Sequence, residues 1–374
     1  MLCYNQRPSD SAEPCTTMNA GLKPSEGGVS ALGPVVLPEV EFVKKFRLGR
    51  HVSLLRSSQT VEILRVVREL AYGRTSFDVW ELATGDRVMV VDRKLRAIPQ
   101  GITGVLEATD RGYRWQWHTL LEDFTSRVNG AAGAVADDIQ KAWKDNFHFR
   151  MEEADATGVV LRGNEGLRPP QIGALHAIGA HWSIFPHEVA TVVMPTGTGK
   201  TETMLCTVVN YRQGPTLVIV PSRALRAQTL KKFRTLGLLR DLGLVDPTIL
   251  NPIVGVVTKE PSSEEDLEIF RGCNVVIAVM ASLGAPGVAP FRPRIAAAFS
   301  SLFVDEAHRM LHPAKVIGRW WYRSFGCSLC VIPSAQRCTL GAVIEALPVD
   351  RACDNSGNGR ERPERADIVF EDHP

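Results

Sequence analysis

The stretch Met194-Pro-Thr-Gly-Thr-Gly-Lys-Thr201 decides the fold of this chain, because it joins an apolar run to a helical one. Residues 190–194 (ATVVM) are typical of a buried strand, and residues 199–211 predict a helix. Gly197 and Gly199 let backbone N–H groups turn toward an anion, and the helix N-terminus adds partial positive charge. The stretch therefore predicts a phosphate-binding loop.

The residue types of this loop assign roles to its side chains. Lys200 can reach the β- and γ-phosphates of a nucleotide, and Thr201 can offer its hydroxyl to Mg²⁺. Position 194 holds Met where the strict pattern has Gly, but the rest of the motif is intact. The alternative is a glycine-rich turn that only caps a helix. The candidate nucleotide-binding residues of the loop are Pro195, Thr196, Gly197, Thr198, Gly199, Lys200 and Thr201.

A second motif lies 105 residues after Lys200, where the apolar run 302–304 ends in Asp305 and Glu306. In P-loop enzymes a carboxylate at a strand end holds the Mg²⁺ ion that the loop hydroxyl also contacts. Asp305 fits this role beside Thr201, and Glu306 can orient or deprotonate an attacking water. The alternative is a strand that merely ends in charged turn residues. The predicted catalytic residues are therefore Lys200, Asp305 and Glu306.

Short apolar runs alternate with helical segments between about residue 160 and residue 308. The predicted strands are 190–194, 216–220, 253–257, 275–279 and 302–304. Alternation at these lengths predicts an α/β fold, a parallel sheet with helices on both faces. A small mixed α/β accessory domain is predicted to precede it.

Together these motifs resemble superfamily 2 helicases of the DEAD/DEAH type, with the nearest likeness to type III restriction subunits and related bacterial defence helicases. By this resemblance the loop is motif I, and Asp305-Glu-Ala-His308 is motif II, of a first RecA-like domain. The resemblance covers about residues 165–310. It implies ATP and Mg²⁺ as cofactors, ATP hydrolysis, and movement on DNA or RNA.

The resemblance also implies roles for residues outside the two motifs. Residues 167–171 (LRPPQ) resemble an element whose glutamine reads the adenine edge, so Gln171 implies a preference for ATP. His308 is implied to couple the two motor domains. Residues 220–228 (VPSRALRAQ) resemble motif Ia, which grips the nucleic-acid backbone and does not distinguish DNA from RNA. Its implied contacts are Ser222, Arg223 and Arg226.

The charge of the whole chain does not point to nucleic acid. The net charge is +2 and the isoelectric point is about 8.1, so any nucleic-acid site has to be a local patch. The basic stretch from Arg223 to Arg240 is either a solvated helix face or a patch that tracks phosphates beside motif Ia.

The part of the chain that precedes the α/β alternation divides into two segments of different composition. Residues 1–34, rich in Pro, Ser and Gly, predict a flexible tail, and residues 35–155 predict an accessory domain of unknown role. Four tryptophans suggest that this domain has its own core. Within it, residues 61–70 (VEILRVVREL) have helical spacing and residues 87–92 resemble a strand. The pair Trp115-Gln-Trp117 is interpreted either as core or as exposed rings that stack on bases.

Residues 309–374 hold four of the eight cysteines and do not continue the α/β alternation. Superfamily 2 motors have a Ser-Ala-Thr motif and then a second RecA-like domain with an arginine finger, for which 66 residues are too few. One hypothesis is a tail translated out of frame or a truncated gene, and the competing one is a native, family-specific C-terminus. A partner chain would then supply the second domain.

Two functions follow from this incompleteness. The first is a helicase-type ATPase that does not unwind strands by itself. The second is a weakly catalytic protein that binds ATP or nucleic acid. No signal peptide and no run of about 20 apolar residues is present, so a cytoplasmic protein without a membrane partner is expected.

Overall fold

The computed structural model of the protein describes residues 32–71, 75–95, 97–110, 112–157, 159–161, 163–186, 188–195, 197–211, 214–284, 286–307, 328–333 and 368–369. Two sheets organise these residues, one of six strands and one of nine. The predicted tail before residue 32 lies outside the described residues, whereas its last three residues belong to the first strand.

The strands, in chain order, are β1 (Leu32–Leu37), β2 (Val40–Phe46), β3 (Gly49–Arg56), β4 (Gln59–Ala71), β5 (Thr75–Leu82), β6 (Arg87–Val91), β7 (Gly104–Thr109), β8 (Gly112–His118), β9 (Ala190–Met194), β10 (Thr216–Val220), β11 (Val254–Val257), β12 (Val275–Val279), β13 (Ser301–Asp305), β14 (Ser328–Pro333) and β15 (Ile368–Val369).

The helices are α1 (Thr119–Asp145), α2 (Pro169–Ile184), α3 (Lys200–Tyr211), α4 (Arg223–Phe233), α5 (Met280–Gly284) and α6 (Arg292–Ala297). Two 3-10 helices lie at Glu264–Phe270 and Pro286–Phe291. Within the described ranges, none of the helices combines the length and apolar character needed to cross a membrane.

The nine-stranded sheet carries the α/β alternation that the sequence predicted. Its strand order is β15-β9-β14-β13-β10-β12-β11-β3-β2, with β15 to β11 parallel and β3 and β2 added in antiparallel orientation. Every residue of β9, β10 and β12 is buried, as expected for parallel strands covered on both faces. The predicted α/β fold is therefore confirmed.

Strand β14 enters the centre of this sheet from the C-terminal segment. It lies parallel between β13 and β9, with Ser328 opposite Leu302 and Pro333 opposite Met194. The apolar run SLCVIP thereby pairs the inner edges of β9 and β13, whose N–H and C=O groups need partners. This differs from the expectation that the segment lies outside the α/β alternation. The boundary at residue 308 stays a prediction.

The six-stranded sheet, of order β1-β4-β5-β6-β7-β8, is formed by the N-terminal part of the chain. The helix expected at residues 61–70 is wrong, because β4 pairs along its length with β1 and β5. Val61 and Ile63 are buried while the residues between and after them are exposed, a period of two. Several β-branched residues in this run favour the strand. The strand expected near residues 87–92 is confirmed as β6.

A β-bulge separates the two tryptophans of β8. Trp117 lies opposite Val105 and Trp115 opposite Leu106, and the register shifts between these two pairs. Since Val105 and Leu106 point to opposite faces, the half-buried rings pack against different clusters. Trp143 lies in the core of the nine-stranded sheet, so the tryptophans do not form a single accessory core.

Parts of the predicted accessory domain pack with the nine-stranded sheet. Strand β3 pairs with β11, and buried residues of α1 belong to the same core cluster as β9, β10 and β12. At the β2–β3 turn, Arg47 Nε donates to Asp266 Oδ1 at 2.7 Å. The buried Asp266 carboxylate also accepts from the backbone N–H groups of Ser262 and Ser263 at 2.7 and 2.9 Å. This contact ties the N-terminal strands to the later domain.

The substitution Asp266→Asn should lower the free energy of unfolding by about 2 kcal/mol, the typical scale for hydrogen bonds to a charged group. The hydrogen bond from Arg47 holds the pKa of the Asp266 carboxyl far below its usual value. Because the folded-state pKa is depressed, the stabilisation is present above the unfolded-state pKa of about 3.9 and disappears as the pH falls below it. Urea denaturation at several pH values measures this difference.

The control is Asp137→Asn, at an exposed position within α1. An equal loss of stability in both variants, or a loss for Asp266→Asn that does not shrink in acid, would contradict the expectation.

Candidate nucleotide-binding site

The loop between β9 and α3 has the backbone geometry of a phosphate-binding loop. Gly197 and Gly199 have φ angles of +89° and +88°, in the left-handed region that other residues rarely adopt. Thr198 Oγ1 donates to the carbonyl of Pro195 at 2.8 Å and so closes the turn. Helix α3 then begins at Lys200, which places its unpaired first N–H groups at the loop. Thr196 lies outside the described residues.

Gln171 braces this loop from the first turn of α2. Its Nε2 donates to the carbonyl of Gly199 at 3.3 Å, and its Oε1 accepts from the backbone N–H of Arg168 at 2.9 Å. The side chain is only 4% exposed. Both ends of the amide thus have protein partners, so reading an adenine edge would require Gln171 to exchange one of these bonds.

Arg168 is a loop contact that the sequence reasoning missed. Its Nη1 donates to the carbonyl of Gly197 at 2.9 Å, so α2 holds both glycine carbonyls of the loop. The available signal was its position immediately before Pro169, which starts α2. An arginine at a helix start beside a glycine loop is well placed to contact it.

Asp305 and Glu306 lie at the carboxyl end of β13, next to β10. Burial and the neighbouring Glu306 carboxylate raise the pKa of Asp305, while the charges of Lys200 and Lys232 oppose the rise. Glu306 has φ +53°, a left-handed conformation that costs a non-glycine residue about 1–3 kcal/mol. Such strain is typical of functional sites. His308 lies outside the described residues.

These groups fit a magnesium ion. Mg²⁺ prefers hard oxygen ligands and usually takes few of them from the protein, with water and phosphate completing the octahedron. Thr201 offers a hydroxyl and Asp305 a carboxylate whose charge is disfavoured by burial, an imbalance that a cation would compensate. The described residues contain no cluster of three or more His, Cys, Asp or Glu side chains suited to a metal.

The motif Ia residues lie around the start of α4. Ser222 is the N-cap of this helix, and its Oγ accepts from the backbone N–H of Leu225 at 3.2 Å. Arg223 is exposed, whereas Arg226 Nη1 donates to the carbonyl of Val257 at 2.7 Å. Burial, then the charges of Arg223 and Arg50, lower the pKa of Arg226. Three arginines thus concentrate positive charge at this end of α4.

The later part of the basic stretch has internal partners. Arg234 pairs with Glu39 at 2.7 Å and also with Glu41, both from the N-terminal strands. Arg240 Nη1 donates to Asn251 Oδ1 at 2.8 Å. Lys232 pairs with Glu202. Lys232, Arg234 and Arg240 thus have partners within the protein, so these three charges contribute to the fold.

The parallel sheet, the glycine loop at a helix N-terminus and the paired carboxylates are the features of a P-loop domain. Residues 164–317 match the family described as "Type III restriction enzyme, res subunit". The predicted resemblance is thereby confirmed for these residues. No curated protein sequence matches the chain significantly.

Three solved structures are similar to this chain at low identity. The Sulfolobus solfataricus SWI2/SNF2 ATPase core in complex with dsDNA has 16% identity and a TM-score of 0.32, over 45% of this chain and 32% of that one. The Pyrococcus furiosus Hef helicase domain has 20% identity and a TM-score of 0.31, over 45% and 35%. The UvsW helicase from bacteriophage T4 has 12% identity and a TM-score of 0.31, over 62% of this chain and 80% of that one. The chain spans about a third of the first two.

Alanine substitutions at the two glycines of the loop should lower the free energy of unfolding by different amounts. A Cβ at position 199 would lie 2.3 Å from Gln171 Nε2, whereas one at position 197 has nothing within 4 Å. Both variants carry the cost of a positive φ, about 1–2 kcal/mol. Gly199→Ala should lose about 1–3 kcal/mol more, because the clash displaces a buried side chain. Denaturant unfolding of the two variants tests this, and equal losses would show that Gln171 does not brace the loop.

Proposed function

We propose that the domain of residues 164–317 binds and hydrolyses ATP with Mg²⁺ as the motor of a DNA or RNA helicase or translocase. The observation that carries this proposal is the left-handed Gly197–Gly199 loop at the N-terminus of α3, with Asp305 and Glu306 at the carboxyl end of β13 in the same sheet. Such a site recognises a phosphate chain and its metal rather than a single anion.

Each side chain has a defined task in this proposal. Lys200 and the backbone N–H groups of the loop hold the phosphates, and Thr201 and Asp305 hold the metal. Glu306 orients or deprotonates the attacking water. The bound Mg²⁺ supplies positive charge to the phosphate oxygens. The remaining loop residues keep the turn closed, as the Thr198 hydrogen bond to Pro195 does in this structure.

The proposed nucleic-acid contact is the start of α4. Phosphates there would meet free N–H groups of the first helical turn and the charges of Arg223, Arg226 and Arg50. The Ser222 hydroxyl accepts from Leu225 and retains its own proton to donate. Contacts of this kind are made to the backbone, so they do not discriminate between DNA and RNA.

Completion of the motor by a second RecA-like domain, on a partner chain, is part of the proposal. In P-loop NTPases an arginine supplied in cis or in trans raises the hydrolysis rate by roughly 10³–10⁵-fold. An arginine supplied by the partner chain should therefore raise the rate of ATP hydrolysis by this factor.

Lys200→Ala should reduce nucleic-acid-stimulated ATP hydrolysis by about 100-fold or more, the scale seen when one preorganised charge-stabilising group is removed. The rate of phosphate release, with and without single-stranded DNA or RNA, is the measurement. Lys141→Ala, at an exposed position on α1, is the control and should behave as the native protein. Nucleotide binding without hydrolysis under all these conditions would instead favour the weakly catalytic binding protein.

Arg223→Ala should weaken oligonucleotide binding similarly for DNA and RNA of any sequence. Loss of one phosphate contact lowers the slope of log K against log salt concentration by about 0.7–0.9. Fluorescence anisotropy titrations at several salt concentrations measure it. Arg271→Ala removes an exposed arginine that pairs with Glu268, and its salt slope should equal that of the native protein. An unchanged slope in Arg223→Ala would remove α4 from the nucleic-acid site.

A further inference from the structure

Glu202 is a buried carboxylate in the first turn of α3, immediately after Lys200 and Thr201. Its side chain is 9% exposed and accepts a hydrogen bond from Lys232 Nζ at 2.5 Å. Burying a carboxylate is strongly unfavourable unless a cation compensates it. Lys232 provides that compensation across 30 residues of sequence, from the last turn of α4.

The segment that follows α4 lies close to α3. A Cβ at Gly237, four residues after the end of α4, would lie 3.0 Å from Leu205 Cδ2, so little space separates this segment from α3. Together with the contact between Lys232 and Glu202, this places the C-terminal end of α4 beside the first turn of α3. The Lys232 charge also acts on Asp305, at the end of β13.

The opposite end of α4 is the proposed nucleic-acid contact, with its Ser222 cap and exposed Arg223. A helix of 11 residues is about 16 Å long, and it transmits displacement as a rigid body. One end of α4 thus carries the proposed nucleic-acid contact, while Lys232 near the other end pairs with Glu202, in the turn that carries Lys200 and Thr201.

We propose that the ion pair between Glu202 and Lys232 couples nucleic-acid binding at the start of α4 to nucleotide binding at the start of α3. This inference rests on the proposed function. Lys232 is a positioning residue, since it contacts neither ligand and acts by fixing the first turn of α3 relative to α4. Coupling of this kind is reciprocal: an oligonucleotide changes nucleotide affinity by the same factor as the nucleotide changes oligonucleotide affinity.

The test measures the dissociation constant of a fluorescent ADP analogue with Mg²⁺, in the absence and presence of saturating single-stranded DNA. The ratio of the two constants is the coupling, and roughly 5–150-fold is the usual range for such effects. In Lys232→Met the ratio should fall to about 1 while the analogue still binds. Lys232→Arg should keep the native ratio, because it retains a cation at this position.

Two further variants separate coupling from folding. Lys231→Met removes the adjacent exposed lysine and should keep the native ratio. The double variant Glu202→Gln with Lys232→Met leaves no unpaired buried charge, so it should fold even where Lys232→Met does not, and its ratio should also be about 1.

A native ratio in the folded double variant would overturn the inference. So would a native protein that binds both ligands without any coupling, a result that leaves the proposed function intact. Failure of the native protein to bind the analogue at all would overturn the proposed function, and the inference falls with it.

Discussion

The sharp turn from β9 into α3 is the constraint around which the rest of the domain is arranged. Two left-handed glycines are required there for the first N–H groups of α3 to face the loop. At the start of α2, Arg168 donates to the Gly197 carbonyl and Gln171 to the Gly199 carbonyl, which also accepts from the Thr203 N–H within α3. The geometry of the phosphate loop is thereby held by a neighbouring helix rather than by its own sequence alone.

Parallel strand order then brings the other half of the site to this turn. Strand β13 ends beside β10, and the register puts Asp305 at the same edge of the sheet as the end of β9. Asp305 and Glu306 lie at this edge, and the charges of Lys200 and Lys232 reach Asp305. Burial and the negative charge of Glu306 raise the pKa of Asp305, while the positive charges of Lys200 and Lys232 lower it. A bound cation would shift the balance further toward the ionised carboxylate.

The sheet itself is assembled from distant parts of the chain. Strands β2 and β3 come from the N-terminal segment, and β14 comes from the C-terminal one. The junction with the six-stranded sheet is held by Arg56, which contacts both Asp86 at 3.0 Å and His118 at 2.9 Å. Burial, followed by the Arg56 charge, lowers the pKa of His118 to about 4, so this histidine is neutral at the junction. The two sheets are thus tied by partly buried polar contacts.

The sequence by itself determined the local features: the phosphate loop, the acidic strand end and the five strands from β9 to β13. These depend on short-range pattern, and glycine, lysine and paired carboxylates at fixed spacing carry their chemistry wherever they occur. The helix predicted at residues 61–70 was wrong, because the apolar positions of β4 fit helical spacing as well as strand spacing. Only the pairing of β4 with β1 and β5 decides between the two. The tertiary structure decided three contacts: the hydrogen bond from Gln171 to Gly199, the ion pair of Lys232 with Glu202, and the pairing of β14 with β13 and β9. Each of these contacts joins residues far apart in the chain, and no local period of the sequence encodes such a pairing.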